Sequence, residues 1–124
     1  EFIICTGLFD DQRENPADYR ELLERAAARA LPMICANPDV VVRWGGRLVY
    51  CAGALAEVYE EIGGTVIYGG KPHAPIYDVA LGTIDASAGR EIERGRILAI
   101  GDGLKTDIAG ANRQGIDALY IAGE

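Results

Sequence analysis

The sequence predicts an α/β fold in which a mostly parallel sheet carries helices on its faces. From residue 32 onward, short apolar segments alternate with stretches of helical periodicity, which is the pattern of βαβ units. The chain has 124 residues, enough for one domain with a real core. Its 49% hydrophobic and 25% charged residues are typical of a globular domain.

The first half of the chain is predicted to contain a strand, a helix, a second strand, a hairpin and another helix. Asn15 can cap the first helix, and Pro16 fits its first position. Helical spacing predicts one buried stripe on that helix, formed by Leu22, Leu23, Ala26, Ala27, Ala30 and Leu31. The other predicted elements are strands at 2–5 and 33–36, a hairpin at 40–50 around Gly45-Gly46, and a helix at 52–62 that ends at Gly63-Gly64.

The second half is predicted to continue the alternation of strands and helices. Residues 65–68 are β-branched and aromatic, as in strands, and Gly69-Gly70-Lys71 follows them. The next helix is expected to carry Pro72 in its first turn and to end before a polar connector at 87–95. The remaining predictions are a buried strand at 97–100, a helix from about residue 106 to 114, and a strand at 117–121.

Charge and cysteine content exclude several classes of function. The net charge is -7 and no basic stripe is present, so the chain is not predicted to bind nucleic acid. No apolar run approaches the roughly 20 residues of a membrane helix, and no signal peptide is evident. Cys5, Cys35 and Cys51 are widely spaced, as is typical of buried free thiols in a reducing compartment. We therefore expect a cytoplasmic protein.

Two aspartates and one lysine form the candidate site. Asp102 directly follows the apolar segment 97–100, and a carboxylate at a strand end is a suitable ligand for Mg²⁺. Lys71 follows two glycines that allow close approach to a ligand, and it can neutralise a phosphate or carboxylate. Asp107 could steady Lys71, hold a metal-bound water, or simply cap the following helix. For Asp102 the alternative interpretation is an ordinary turn aspartate, and we favour the metal ligand.

Two other polar or aromatic positions have competing interpretations. Asn37-Pro38-Asp39 follows a predicted strand, which makes Asn37 a site candidate, although Asn-Pro and Asp also favour a simple turn. Trp44 stands beside Gly45-Gly46 and could either cover a substrate or pack at the tip of the hairpin.

Three segments resemble a known family. Gly70-Lys71-Pro72, the run from Gly101 to Asp107, and the small-residue segment Ala109-Gly110-Ala111 are similar to the third and fourth motifs of the haloacid dehalogenase superfamily. Asn37-Pro38-Asp39 and residues 52–55 are similar to its class IIA phosphatases, which include nitrophenylphosphatases and phosphoglycolate, pyridoxal and nucleotide phosphatases. The resemblance covers nearly the whole chain.

The resemblance implies a Mg²⁺-dependent phosphomonoester hydrolase with a Rossmann-like three-layer core and a small phosphorylated metabolite as substrate. By motif match, Lys71 would be catalytic, Asp102 and Asp107 would belong to the metal site, and Asn37 and Gly70 would lie near the phosphate. In this family an aspartate forms a phospho-enzyme intermediate, and a second aspartate acts as acid and base.

The family's first motif, an Asp-x-Asp pair, does not occur in these 124 residues. We therefore expect the C-terminal part of a longer protein, with the end of a cap domain at residues 1–10, the second half of an incomplete core at 11–124, and no activity by itself. An uncovered sheet edge would favour homo-oligomers. Two other classes stay open: a receiver-like phosphoacceptor module, in which the lysine would follow the aspartates, and a non-catalytic binding or assembly domain with the same fold.

Overall fold

In the computed structural model, residues 1–122 are described, and they belong to two compact units that divide between Gly69 and Gly70. Unit 1 contains two helices and five strands, and unit 2 contains two helices and two strands. The elements are β1 (Ile3–Cys5), α1 (Arg20–Ala28), β2 (Met33–Cys35), β3 (Val41–Trp44), β4 (Arg47–Tyr50), α2 (Ala52–Glu61), β5 (Val66–Tyr68), α3 (Ala74–Ala88), β6 (Leu98–Gly101), α4 (Ala109–Arg113) and β7 (Asp117–Tyr120).

The core of unit 1 lies on one face of a parallel sheet of strand order β1-β2-β5. Met33 and Cys35 of β2 pack there with Leu55 and Tyr59 of α2, and all four side chains are buried. Alternate residues of a strand point to opposite faces, so the neighbouring register row, which contains Ile4 and its partners in β2 and β5, faces away from this core. Ile4 is 62% exposed, so this face of the sheet is uncovered in unit 1.

The predicted buried stripe on the first helix is only partly correct. Asn15 caps a short 3-10 turn over Pro16–Tyr19, and the α-helix begins at Arg20. Leu23 is buried, but Leu22 is half exposed, because α1 packs mainly against α2 and buries a narrower strip than the spacing predicts. A wide apolar stripe needs neighbours on a correspondingly wide arc of the helix.

The hairpin of unit 1 agrees with the prediction. Strands β3 and β4 pair antiparallel, with Val42 opposite Val49 and Trp44 opposite Arg47. Gly45 and Gly46 form the two-residue turn, with φ of 55° and 83°. Two successive left-handed residues match the twist of such hairpins, and glycine adopts them without steric cost.

Unit 2 contains a two-stranded parallel sheet, β6-β7, in which Ala99 pairs with Ala118 and Ile100 with Leu119. The alanine face packs against a small core of Leu81, Ala111 and Ile116. Leu98 and Ile100, on the other face, are more than half exposed. The prediction that this strand is buried is therefore wrong, because helices cover only one face of its sheet.

Two helix starts in unit 2 differ from their predictions. Helix α3 begins at Ala74 with Pro75 in its first turn, so the expectation that Pro72 occupies that turn is wrong. The backbone N–H of His73 donates to the carbonyl of Gly70 at 3.0 Å, and this turn places Pro72 before the helix. The last helical segment starts earlier than residue 106, as a π-helical turn over Leu104–Ile108 that continues into α4.

The order of elements confirms the predicted α/β class with mostly parallel strands. None of the helices formed by residues 1–122 has the length and apolarity required to cross a membrane. The assignment of residues 1–10 to a cap domain and of 11–124 to the core stays a prediction.

Candidate functional site

The structure brings Lys71 and Asp107 into direct contact within unit 2. The Nζ atom of Lys71 forms an ion pair with Oδ1 of Asp107. The Asp107 side chain is only 14% exposed, whereas that of Lys71 is 52% exposed. The charge of the lysine therefore reaches solvent, while the aspartate that holds it is largely enclosed.

The second carboxylate oxygen of Asp107 is also engaged. The backbone N–H of Gly103 donates to Oδ2 at 3.0 Å. The hydrogen bond from Lys71 is the main cause that lowers the pKa of Asp107 below its ordinary value, and backbone hydrogen bonds from Gly103 and Asp102 act in the same direction. Asp107 thus links the lysine loop to the turn that follows β6.

Asp102 has a different environment from Asp107. It directly follows β6, where the sheet ends, and its side chain is exposed. Within residues 1–122, no recorded hydrogen bond or ion pair engages its carboxylate, in contrast to both oxygens of Asp107. Of the two predicted metal-site aspartates, Asp102 is the one whose oxygens are available.

The glycines on either side of Asp102 are required by close packing. A Cβ atom on Gly101 would lie 2.6 Å from Oδ2 of Asp107, and one on Gly103 would lie 3.0 Å from the same oxygen and closer still to Thr106 Oγ1. The Gly103 carbonyl also accepts from the N–H groups of Thr106 and Ile108, at 3.3 and 3.0 Å. The Gly-Asp-Gly sequence is therefore the backbone that allows Asp107 to fold back under the turn.

Tyr77 is a supporting residue that the sequence analysis missed. Its hydroxyl on α3 lies 3.5 Å from the backbone carbonyl of Asp107. A Cβ atom on Gly110 would lie 2.7 Å from Tyr77 Cζ, so the small residue in α4 makes room for the ring. Burial is the main cause that raises the pKa of the Tyr77 hydroxyl. In the sequence, the small residues at 109–111 indicate that this helix is closely packed, but they do not indicate that Tyr77 is the residue in contact.

Asn37 lies in unit 1, in a turn of the kind that its sequence also favours. Its Oδ1 accepts from the N–H of Asp39 at 3.2 Å, and its carbonyl accepts from the Cys35 thiol at 3.3 Å. Gly53, at the start of α2, packs so closely that an added Cβ would lie 2.6 Å from the Asp39 carbonyl. Asn37 thus has a structural role, and its predicted place beside the phosphate stays a prediction.

The second predicted phosphate-adjacent residue, Gly70, belongs to the turn that carries Lys71. Its carbonyl accepts from the N–H of His73 at 3.0 Å, which closes the turn around Lys71 and Pro72. No observation tests whether Gly70 contacts a phosphate, so that role also stays a prediction.

The donor atoms fit a shared Mg²⁺ site better than a self-contained one. No cluster of three or more His, Cys, Asp or Glu side chains suited to a metal is found in residues 1–122. Mg²⁺ is commonly held by one or two carboxylates, with waters and phosphate oxygens completing its octahedron. The exposed Asp102 carboxylate can be one such ligand, with waters, phosphate oxygens or groups outside residues 1–122 as the others.

A family model for HAD-hydrolase-like proteins matches residues 68–123. This range includes Lys71, Asp102 and Asp107. No curated protein matches the chain.

Solved structures of hydrolases and phosphatases resemble the chain over nearly its whole length. A haloacid dehalogenase-like hydrolase from Brucella suis is 52% identical, with a TM-score of 0.85 over 99% of this chain and 47% of the hydrolase. The thermostable NPPase from Geobacillus stearothermophilus, a double mutant, is 25% identical, with a TM-score of 0.74 over 96% of this chain and 44% of that protein. NagD from E. coli is also 25% identical, with a TM-score of 0.71 over 97% and 43% of the two chains.

The chain therefore spans about half the length of these relatives. Their similarity confirms the predicted Rossmann-like architecture, here in incomplete form. The matched segment includes the glycine-lysine loop and the turn around Asp102 that the geometry joins through Asp107. The chain belongs to the haloacid dehalogenase superfamily of hydrolases.

Proposed function

We propose that this chain forms the lysine-bearing and metal-binding part of a class IIA phosphatase, a Mg²⁺-dependent hydrolase of phosphomonoesters. The observation that carries the proposal is the arrangement of Lys71, Asp107 and Asp102. An exposed ammonium is held by a largely enclosed carboxylate, and the same turn presents a second, unpaired carboxylate. Separate positive and metal-binding groups are what a phosphoryl-transfer site requires.

Each residue has a distinct part in the proposed mechanism. Lys71 neutralises charge on the phosphate and on the attacking aspartate, Asp107 keeps Lys71 in place, and Asp102 is a ligand of Mg²⁺. When bound, the metal ion supplies electrostatic stabilisation to the phosphate oxygens. In this proposal Gly70 and Asn37 lie near the phosphate. For these two residues the support is the match to the family's motifs alone.

The nucleophile must come from outside these 124 residues, since no Asp-x-Asp pair occurs in the sequence. That aspartate attacks phosphorus and forms an aspartyl-phosphate, while the leaving oxygen takes a proton from a second acid. Water then cleaves the acyl phosphate and regenerates the carboxylate. The chain alone is accordingly proposed to be inactive.

The proposal extends to setting and partners. The substrate is a small phosphorylated metabolite, the compartment is the cytoplasm, and copies of the protein associate through exposed sheet edges. Strand β1 is an outer strand of the sheet in unit 1, and the backbone groups along such an edge support this association. Light scattering of the purified protein tests the oligomer: a monomer at micromolar concentration contradicts that part of the proposal.

The test is hydrolysis of p-nitrophenyl phosphate, with and without Mg²⁺, by a protein that contains this chain together with an Asp-x-Asp segment. Lys71→Ala and Asp102→Asn should each lower kcat/KM by about 10²- to 10³-fold. Lys105→Ala and Asp117→Asn are matched controls on exposed residues and should retain activity. Full activity of both site variants, or hydrolysis by the 124-residue chain alone, contradicts the proposal.

The absence of the first motif from these residues favours a second candidate, a non-catalytic binding domain with this fold. It predicts that phosphate esters bind to the longer protein without turnover. Burst and steady-state kinetics separate the two candidates, because only an enzyme releases more than one equivalent of product.

A further inference from the structure

A cavity beside the hairpin of unit 1 is not used by the proposed phosphatase site. It is lined by Asp11, Gln12, Trp44, Arg47, Leu48 and Val49 and has a volume of about 220 Å³. We refer to it as the hairpin cavity. For scale, a cavity of about 150 Å³ is enough to hold benzene. The hairpin cavity therefore has room for one aromatic ring and its substituents.

Two of the lining residues are fixed as a cross-strand pair. Trp44 and Arg47 are directly opposite in the antiparallel register, so their side chains lie on the same face of the hairpin. The Gly45-Gly46 turn between them is the shortest connection that such a hairpin uses. The indole and the guanidinium are thus held side by side by the backbone.

In residues 1–122, the Trp44 ring has no stacking partner, and the Arg47 guanidinium has no ion-pair or side-chain hydrogen-bond partner. Trp44 is 68% exposed, and no aromatic ring in residues 1–122 stacks on it, since the recorded ring pair there is Phe9 with Tyr19. Arg47 forms no recorded ion pair or side-chain hydrogen bond within the same residues. An exposed indole and an unpaired guanidinium can contact a planar anionic ligand through stacking and charge-assisted hydrogen bonds.

Two further lining residues of the cavity carry hydrogen-bond acceptors. Asp11 and Gln12 line it without an ion pair between Asp11 and Arg47. The cavity is therefore lined by a positive group and a negative group that are not paired with each other, together with an aromatic ring and apolar atoms of Leu48 and Val49. A ligand that matches both charges would carry an anionic group and N–H donors on one planar ring.

The geometry points to the hairpin cavity as a binding site for a small planar aromatic compound with an anionic substituent and an N–H donor substituent. The ring stacks on Trp44, Arg47 binds the anion, and Asp11 accepts from the donor. This site does not depend on the proposed hydrolysis, and its test uses no phosphate ester.

The probes are three carboxylates: 4-aminobenzoate, benzoate and cyclohexanecarboxylate. Trp44 is the sole tryptophan, so the one indole N–H signal in a ¹⁵N-correlated NMR spectrum of the full chain reports on the cavity. We expect 4-aminobenzoate to shift this signal saturably and to bind at least threefold more tightly than benzoate. Cyclohexanecarboxylate, which has the same charge but no planar ring, should bind at least fivefold more weakly than benzoate.

Substitutions in the hairpin cavity test which residue makes each contact with the ligand. Arg47→Gln should weaken binding of both aromatic carboxylates at least tenfold, as expected for loss of a charge-assisted hydrogen bond. Asp11→Asn should remove only the advantage of 4-aminobenzoate over benzoate. Arg43→Gln is the matched control, because Arg43 is in the same hairpin but does not line the cavity, and binding should change less than twofold.

Several results would overturn the inference. These are the absence of a saturable shift of the indole signal, equal binding of cyclohexanecarboxylate and benzoate, and equal weakening by Arg43→Gln and Arg47→Gln. The dispersion of amide signals in each variant's spectrum verifies that it is folded, so a lost response can be assigned to the cavity.

Discussion

The two units of the chain differ in where their buried and their reactive side chains lie. Among residues 1–122, the core of unit 1 has nine buried residues, including Met33, Cys35 and Tyr59, whereas that of unit 2 has three. Yet the charged residues proposed for phosphate chemistry, Lys71 and Asp102, are in unit 2. The comparison teaches that polar contacts and close glycine packing hold the proposed site, and that a large apolar core is not what positions it.

The largest expected effect is in the core of unit 1. Met33→Ala removes a side chain that is 1% exposed and should lower the free energy of unfolding by about 3 kcal/mol, through lost burial and the cavity that remains. Ile100→Ala, on the exposed face of the unit 2 sheet, should cost less than about 1 kcal/mol. Urea unfolding followed by circular dichroism measures both. Equal losses would contradict the difference between the units.

Asp107→Asn should affect catalysis more than folding. It replaces the carboxylate that pairs with Lys71, so the lysine loses its anchor, and kcat/KM should fall about 10- to 100-fold in the longer, active protein. The loss should be smaller than that of Lys71→Ala. If Asp107→Asn and Lys71→Ala together cost the product of their separate effects, the two residues act independently and the anchoring role is wrong.

The buried thiol of unit 1 should make stability sensitive to alkaline pH. Burial is the main cause that raises the pKa of Cys35 from 9.0 to about 11. Between these two values the unfolded chain loses the proton while the native state keeps it, so stability falls as pH rises from 9 to 11.

Cys35→Ala tests this dependence. It should reduce the loss of unfolding free energy between pH 8 and pH 10.5 by about 2 kcal/mol. Cys51→Ala is the matched control and should reduce the loss by less, because Cys51 is only partly buried. Urea unfolding at the two pH values measures this. If Cys35→Ala loses as much unfolding free energy between pH 8 and pH 10.5 as the unsubstituted protein does, the prediction is wrong.

The smallest predicted effect is the loss of stability when one of two tyrosine hydroxyls is removed. Tyr59 is fully buried and donates to the Leu31 carbonyl at 2.6 Å, so Tyr59→Phe should cost about 1 kcal/mol. Tyr68 donates to an exposed carboxylate of Glu60 at 2.9 Å, and Tyr68→Phe should change stability by less than about 0.5 kcal/mol. Thermal unfolding of both variants checks the order, and the reverse order would contradict it.

Local sequence signals predicted much of the fold. The turn at Gly45-Gly46, the cap at Asn15 and the end of α2 near Gly63 depend on neighbouring residues in the chain, and these were recognised. The wrong predictions concern properties that sequence spacing does not contain. Leu22 and Ile100 are apolar, but their burial depends on whether another element covers that face.

The candidate site was predictable as a set of residue types, but not as a set of contacts. Lys71, Asp102 and Asp107 were chosen from glycine loops and strand ends. The sequence could not distinguish the paired aspartate from the exposed one, because that depends on a turn folding back through Gly101 and Gly103. It could not identify Tyr77 either, because its contact with Asp107 spans 30 residues.

The most direct test asks which aspartate binds the metal ion. Mn²⁺ can replace Mg²⁺ as a paramagnetic probe that broadens nearby amide signals in the NMR spectrum of a protein that contains this chain together with an Asp-x-Asp segment. We predict selective broadening at residues 101–103 that disappears in Asp102→Asn and persists in Asp107→Asn and in the exposed control Asp117→Asn. Broadening that survives Asp102→Asn but disappears in Asp107→Asn would contradict the central claim that the unpaired carboxylate is the ligand.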